Sequence, residues 1–289
     1  PRFGGSLLTS DVNIGNQTGV EWTEKIIAEL KTMPNVTVKN RSQVFGYYDH
    51  NMLVMSERIS DHLPKTQKYL PKQRLWYIRA NEVLISSGSI ERPLVFGNND
   101  TPGVMLSSAA KEYMKVYGVL VGKKPLIFTN NDSGYETAIE FKKNGVNPII
   151  LDTRSKPSSD IITEAKDLKI EIKFSYVVVA AKGYKKVKSA DIAKISDDKK
   201  ELFNIENIEC DCICVSGFWT PSIHLASQSG NKSKFNEKID AFVPDKSKQK
   251  ENTIGSANGI FTLEETIKDA FDKGFDVSNK ITEKNIKVS

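Results

Sequence analysis

Cysteine is scarce in these 289 residues, and what there is cannot cross-link the chain: Cys210, Cys212 and Cys214 alternate within one short run. At i, i+2, i+4 on a strand they share one face, too extended for disulfide geometry and one ligand short of tetrahedral zinc. They read as small buried apolar side chains, and an odd thiol count without framework spacing fits a reducing cytoplasm. Cys-x-x-Cys is absent, which excludes dithiol redox chemistry from this stretch. Histidine is equally rare. His62 and His224 have no second ligand at metal spacing, so no metal site is expected. His50, in Tyr47-Tyr48-Asp49-His50, suggests acid–base work, and a turn between strands explains it as well. Nothing approaches the ~18 uninterrupted apolar residues of a membrane helix; the best runs, 148–151 and 176–181, have strand length. No charge sign dominates: 41 basic against 36 acidic residues give +5. The Lys-rich runs at 182–188 and 246–250 lack interleaved aromatics and read as solvated faces, not as a nucleic-acid patch. The chain opens without Met or a basic-then-apolar leader, and Gly4-Gly5-Ser6-Leu7-Leu8 reads as the inside of a fold, predicting further sequence upstream.

What is present suffices for a sizeable core. With 39% apolar residues, two domains of about 100–150 residues each are expected. Val20, Ile26, Ile27, Leu30 and Met33 lie at helical spacing, with Thr18 to cap and Pro34 to stop, predicting a helix over 19–33. Strands are predicted at 36–38, 43–48, 51–57 and 75–78. A buried strand at 83–85 runs into Ser86-Ser87-Gly88-Ser89, an ending that lets backbone approach a ligand closely. Near Gly118 the rhythm changes to strand 125–129, helix 134–143 with an Asn144-Gly145 stop, and strand 146–151 ending in Asp152. This is a β-α-β unit. Beyond it come a helix at 160–168, strands at 170–174 and 176–180, a charged excursion at 191–201, and a buried strand at 208–215 carrying the cysteines. A glycine-rich turn at 254–259 then enters a helix over 263–273, stopped by Gly274.

A phosphate-binding G-x-G-x-x-G laid over the β-α-β turn puts Thr129, Asn131 and Gly134 at the glycine positions, with Asp132 on the phosphates' path. A β-carbon at the second position crowds a pyrophosphate and an Asp at the helix start repels it. Gly134 keeps close helix–strand packing; Asp152 is left as a ribose ligand or a solvated strand end. The order of three separated signals says more: a glycine turn at 4–7, a small-residue turn at 85–88 before the β-α-β unit, and a glycine turn at 255–259 after it. That order predicts an α/β, three-layer FAD/NAD(P)-binding Rossmann-like fold, its first dinucleotide domain split (1–117 and 217–289) and a second Rossmann-like domain inserted (118–216).

Four runs carry a more particular likeness: Val-Phe-Gly-Tyr-Tyr-Asp-His at 44–50, Glu-Arg-Pro-Leu-Val-Phe-Gly-Asn-Asn-Asp-Thr-Pro-Gly-Val-Met at 91–105, Phe-Thr-Asn-Asn-Asp-Ser-Gly-Tyr at 128–135 and His-Leu-Ala-Ser-Gln-Ser-Gly at 224–230. They resemble α subunits of heterotetrameric sarcosine oxidase, over nearly the whole chain. The resemblance implies NAD on the split domain, whose phosphate fingerprint and ribose-binding acid would lie upstream. Within the chain it implies Gly5 and Ser6 in the following loop, Val44 near the adenine and Gly88 near the phosphates. Gly255, Ser256 and Ala257 stand where related flavoproteins have Gly-Asp for a ribityl chain, and the missing Asp favours NAD over FAD. Phe261 and Leu263 either line the nicotinamide end or are plain core residues. No catalytic residue is implied. The family oxidises sarcosine to glycine and hydrogen peroxide and passes a one-carbon unit to tetrahydrofolate. Flavin (FMN/FAD) and folate then belong to other parts of a cytoplasmic hetero-oligomer. The alternatives are an FAD-binding subunit of a heteromeric amine, opine or proline dehydrogenase, and a docking module without a working nucleotide site.

Overall fold

The structure, a computed structural model, describes residues 2–65 and 68–288. In chain order it has β1 (Asn13–Ile14), β2 (Gln17–Thr18), α1 (Gly19–Thr32), β3 (Ser42–Tyr48), β4 (Met52–Arg58), β5 (Gln73–Arg79), β6 (Val83–Ile85) and β7 (Ser89–Glu91). Next come β8 (Val104–Leu106), α2 (Ser107–Tyr117), β9 (Pro125–Thr129), α3 (Ser133–Lys143), β10 (Ile149–Asp152), α4 (Asp160–Asp167) and β11 (Glu171–Phe174). They are followed by β12 (Tyr176–Gly183), β13 (Val187–Ile195), β14 (Leu202–Glu209), β15 (Cys212–Ser216) and β16 (Trp219–Pro221). The chain closes with α5 (His224–Gln228), β17 (Ser233–Asn236), β18 (Ala241–Pro244), β19 (Glu251–Thr253) and α6 (Leu263–Val288). Contacts divide it into two units, one with Glu21–Ile90 and the chain from Trp219 onward, the other with Gly4–Val20 and Glu91–Phe218. The sequence boundaries were 118 and 216. Residues 91–117 go with the second unit because β8 pairs with β15, and Ala110 and Met114 of α2 join the same core.

In the second unit five parallel strands form one sheet, ordered β11-β10-β9-β15-β8. β9 and β15 bury every residue, which is why both read as unbroken small or apolar runs: parallel strands are covered on both faces. Ile127, Ile150, Cys212 and Cys214 pack with Tyr135, Ala138, Phe141 and Ile162 of the helices on one face. Leu126, Phe128, Ile213 and Val215 pack on the other with Val178, Val187 and Ile192 of the antiparallel sheet β12-β13-β14. Helices, parallel sheet and antiparallel sheet make three layers.

Cys210 does not share a strand or a face with the other two cysteines. β14 ends at Glu209, and Asp211 turns the chain by accepting the Lys123 and Lys124 N–H groups, each at 2.8 Å. Cys210 then joins the cluster on the opposite side of the sheet. Cys212 and Cys214 stay reduced with their Sγ atoms 3.3 Å apart. Burial pushes the Cys210 thiol up to about 12; the bond to Cys212 and burial raise Cys214 well above the ordinary range. None of this favours a reactive thiolate. The expected charged excursion at 191–201 is the β13–β14 hairpin. A register shift between Ile192 and Lys194 breaks its alternation, and β14 is exposed along nearly all its length.

The segment Gly4–Val20 is fastened to the second unit by Asp11, which bridges Lys115 of α2 and Lys143 of α3. Hydrogen bonds from these lysines hold the Asp11 carboxyl down at about 2, against an ordinary 3.8. The folded-state pKa is depressed, so the stabilisation is complete above about pH 4 and is lost as pH falls through about 2. We expect Asp11→Asn to speed backbone hydrogen exchange over residues 5–19 at neutral pH, and acidification to do the same in the unaltered chain.

The first unit is assembled from short pieces. β6 and β19 form a parallel pair, β3-β4-β5 an antiparallel meander, β17 pairs with β18 and β16 with β7. Tyr47, Leu53, Val83, Ile85 and Ala226 form its core. His50 lies exposed in the β3–β4 turn, where His50 and Asn51 adopt φ 60° and 52°. The buried Asn51 side chain accepts the Tyr47 hydroxyl (2.9 Å) and donates to the Lys250 carbonyl (3.0 Å), which ties that turn to the entry of β19. Residues 36–38 form no strand; among the described residues none pairs with them. α6 runs through Gly274 rather than ending there, because Gly274 lacks the positive φ that a C-terminal stop requires. Among the described residues no helix is long and apolar enough to cross a membrane.

Candidate functional site

Nucleotides bind open α/β sheets at the carboxyl ends of parallel strands, and each unit offers such a locus. In the first unit β19 pairs with β6 in register Thr253 to Ile85, and the Ile254 N–H donates to the Ile85 carbonyl at 3.0 Å. Both strands then turn on glycine. Gly88 adopts φ +76°, and a Cβ built there meets nothing within 4 Å, so its approach side is open. The turn is fixed by Ser222, whose N–H donates to the Gly88 carbonyl (3.0 Å) and whose carbonyl accepts the Ser87 hydroxyl (2.7 Å). β19 enters a 3-10 turn, Gly255–Asn258. A Cβ on Gly255 (φ +62°) would stand 2.9 Å from Thr266 Cγ2, so glycine is what lets α6 approach. The Gly255 N–H is already used, donating to Asp269 at 2.8 Å. Glu264 and Glu265 occupy the first turn of α6, and the Glu265 N–H donates to the Thr262 hydroxyl at 3.4 Å. Such a helix start is capped and negative, which repels phosphate.

In the second unit the strand order reverses between β9 and β15, and the protein's own polar groups fill that point. Asn131, at the middle glycine position, donates through Nδ2 to the Ser216 carbonyl (3.0 Å) and Oγ (3.1 Å). Its Oδ1 accepts the Ser133 N–H at 2.9 Å. Asp132 pairs with Arg154 at 2.8 Å. The Arg154 fork also holds Asp152, Nε to Oδ1 at 3.0 Å and Nη2 to Oδ2 at 2.8 Å, and the Tyr135 hydroxyl donates to the same carboxylate at 2.7 Å. Burial disfavours the Arg154 charge, yet its bonds to Asp152 and Asp132 hold it above its ordinary range. Burial, then Asp152, keep the Tyr135 phenol protonated. Glu91 is buried beside the start of α2 and accepts the Ser108 N–H at 2.8 Å; burial raises its pKa. Gly134 sits where a Cβ would come within 2.7 Å of Thr129 Cβ, the helix–strand contact its position predicts. Gly134→Val should destabilise the second unit by about 1–3 kcal/mol through overpacking, read as a lowered thermal midpoint.

The structure gathers Val44, Gly88, Gly255, Ser256, Ala257, Phe261 and Leu263 into the first unit. Val44 packs against the cluster containing Val83 and Ile85. Gly255 and Ala257 are buried, whereas Gly88, Ser256, Phe261 and Leu263 keep accessible surface. Gly5 and Ser6 are exposed in a 3-10 turn of the second unit and are not gathered with the others. Asp152 is neither of the two things its sequence position suggested: it is fully buried and held by Tyr135 and Arg154. Arg154 and Asp269 were missed from sequence. The Asp152-Thr-Arg154 spacing at a strand end is a usable signal for the first; nothing local marks the second.

The two loci and three layers define a class, the FAD/NAD(P)-binding oxidoreductase fold. The chain superposes on thioredoxin reductase of T. acidophilum with TM-score 0.69 at 15% identity, covering 98% of this chain and 88% of that one. On L-proline dehydrogenase from P. horikoshii the TM-score is 0.57 at 18% identity, covering 87% and 43%. At such identities the likeness is one of fold alone. The sequence narrows it further: the chain is similar to sarcosine oxidase subunit alpha, 35% identical over 241 residues to that of Rhizobium meliloti (83% of this chain, 23% of that protein). It is 32% identical over 262 residues to that of Corynebacterium sp. (strain P-1), covering 89% and 27%. The four sequence runs pointed to this subunit, and the chain spans about a quarter of the length of these relatives. No family model matches the chain.

Proposed function

We propose that this chain is the nucleotide-holding part of a sarcosine oxidase α subunit, with NAD in the first unit over the turns at Gly88 and Gly255 and no chemical step of its own. The observation that carries this is the similarity to such subunits over 83–90% of the chain. Gly88 fits the cofactor best, because its open side admits a phosphate to the backbone. The negative start of α6 fits a sugar or a ring and not the diphosphate. Gly88 then orients the phosphates, Ser256 offers a hydroxyl to a ribose, and Phe261 and Leu263 flank the nicotinamide. Gly255 and Ala257 act by holding the turn, and Val44 by supporting the adenine side. Bound NAD supplies a hydride acceptor. The polar plug around Asn131 leaves the second unit as scaffold.

In the intact cytoplasmic assembly, other parts of the complex would supply flavin and tetrahydrofolate sites for oxidative demethylation of sarcosine to glycine and hydrogen peroxide. The test is to release nucleotide from the full-length subunit in its assembly and weigh it. NAD equimolar with the subunit is expected. FAD in its place would shift the assignment to a related amine, opine or proline dehydrogenase, and no nucleotide would leave a docking module.

A further inference from the structure

β19 ends in the turn at Gly255 and begins on a buried acid. Glu251 and Thr253 pair in register with Val83 and Ile85 of β6, and registered residues of adjacent parallel strands point to the same side. Val83 and Ile85 lie in the first unit's core with Tyr47 and Ala226. Glu251 therefore enters that core, and it is 6% exposed. Its Oε1 accepts from Asn231 Nδ2 at 3.1 Å. Asn231 is buried too, its N–H donating to the Ala226 carbonyl at 3.2 Å. The remaining oxygen of each side chain, Glu251 Oε2 and Asn231 Oδ1, is buried without a hydrogen-bond partner.

An ionised Glu251 cannot satisfy both, because carboxylate and amide oxygens only accept. One proton does: on Oε2 it makes the carboxyl a donor to Asn231 Oδ1, and acid and amide then bond twice, head to head. The surroundings favour that proton. Burial pushes the Glu251 carboxyl up, Ser229, Asn231 and Ser247 oppose it, and no cation acts on it. The Ser229 and Ser247 hydroxyls donate instead to the Ala226 (2.7 Å) and Gln249 (3.0 Å) carbonyls. Lys232, Lys248 and Lys250, beside the pair in sequence, are exposed, as is His224 of α5. Tyr47 of β3 is kept protonated first by burial, and Glu82, ahead of β6, adds only negative charge. β4 and β5 bring the apolar Leu53 and Ile78 to this core. A folded-state pKa raised above 4.5 gives a stabilisation that is complete below that pH and is lost as pH rises through the folded value. β19 is three residues long, and the Ile254 N–H that follows it donates to the Ile85 carbonyl. What holds Glu251 in place also holds the turn at Gly255.

We propose that Glu251 is a positioning residue: as the neutral acid bonded to Asn231 it latches β19 beside β6, and loss of its proton to alkaline solvent opens the latch and frees the nucleotide turn. The effect on nucleotide rests on the reading of Gly88 and Gly255 as its site; the latch itself does not. Glu251→Gln is the discriminating variant, since its amide donates to Asn231 Oδ1 at every pH where the acid does so only while protonated. In the full-length assembled subunit, hydrogen exchange over residues 83–86 and 251–254 is compared between the unaltered and Gln chains at matched pH. Equal rates are expected at about pH 5, and exchange at least about tenfold faster in the unaltered chain at about pH 9. Nucleotide release should follow the same ratio. Glu251→Ala, which keeps neither bond, should exchange faster than the Gln chain at both pH values. An exchange ratio that stays constant, or that turns in favour of the unaltered chain as pH rises, would overturn the neutral acid. A rising ratio with equal nucleotide release from both chains would overturn the positioning role. A subunit that holds no nucleotide at any pH would remove the nucleotide reading, and the exchange ratio would still decide the latch.

Discussion

Arg154→Met is expected to destabilise the second unit by about 3–5 kcal/mol, because it strands a buried carboxylate. Asp152 has no solvent-accessible surface. Its partners are the Tyr135 hydroxyl, the Arg154 backbone N–H at 2.9 Å and the Arg154 guanidinium, which alone carries opposite charge. Methionine keeps the apolar stem and removes the fork, so the loss reports charge and hydrogen bonding rather than packing. Lysine is not a substitute: a single ammonium cannot span both oxygens of Asp152 and reach Asp132 as well. In a unit of this size the loss corresponds to a fall of roughly 10 °C in the thermal midpoint. Adding Asp152→Asn to Arg154→Met removes the stranded charge and should recover much of the loss. Additive losses in that double-mutant cycle would mean that the pair is not coupled and that Asp152 is hydrated after all.

The same cluster shows where sequence reading succeeds and where it stops. The β-α-β unit was legible because its signals are local: five apolar or small residues in β9, a helical rhythm ending at Asn144-Gly145, and Gly134 where helix and strand must touch. Asp132 announced a poor phosphate site for the same reason. Its pairing with Arg154 leaves no local signal, since that side chain, marked at most by its spacing from Asp152, reaches Asp132 only once β10 lies beside β9 in register. The hairpin β13–β14 was hidden by irregularity, a bulge in one strand and solvent along the other, which leave no period to detect. The cysteines were read correctly as buried and wrongly as one strand, because the break at Asp211 is made by amides of Lys123 and Lys124, far away in sequence. In the candidate site, Gly88 and Gly255 were visible as glycines following β-branched or aliphatic runs. The Asp269 carboxylate that takes the Gly255 amide arrives from α6, and no spacing rule connects the two.

Gly88→Val in the full-length assembled subunit should lower nucleotide content at least tenfold while lowering stability by only about 1–2 kcal/mol, the strain of a substituted side chain at positive φ. The separation of the two effects follows from the open space at Gly88: among the described residues none beyond its chain neighbours has an atom within 4 Å of the added Cβ, so on the proposed reading the Cβ meets the bound phosphate. Gly118→Val is the matched comparison. Gly118 has φ +64°, also with nothing within 4 Å of an added Cβ, but it closes α2 in the second unit. The two variants therefore carry similar backbone strain and differ in whether the proposed nucleotide site lies against them. Loss of nucleotide in Gly88→Val alone places the ligand at the ends of β6 and β19. Equal loss in both makes the effect one of general instability, and retention in both moves the nucleotide away from these strands altogether. Gly255→Val is uninformative by comparison, since its side chain would strike Thr266 before any ligand; the openness of Gly88 is what lets one substitution separate folding from binding.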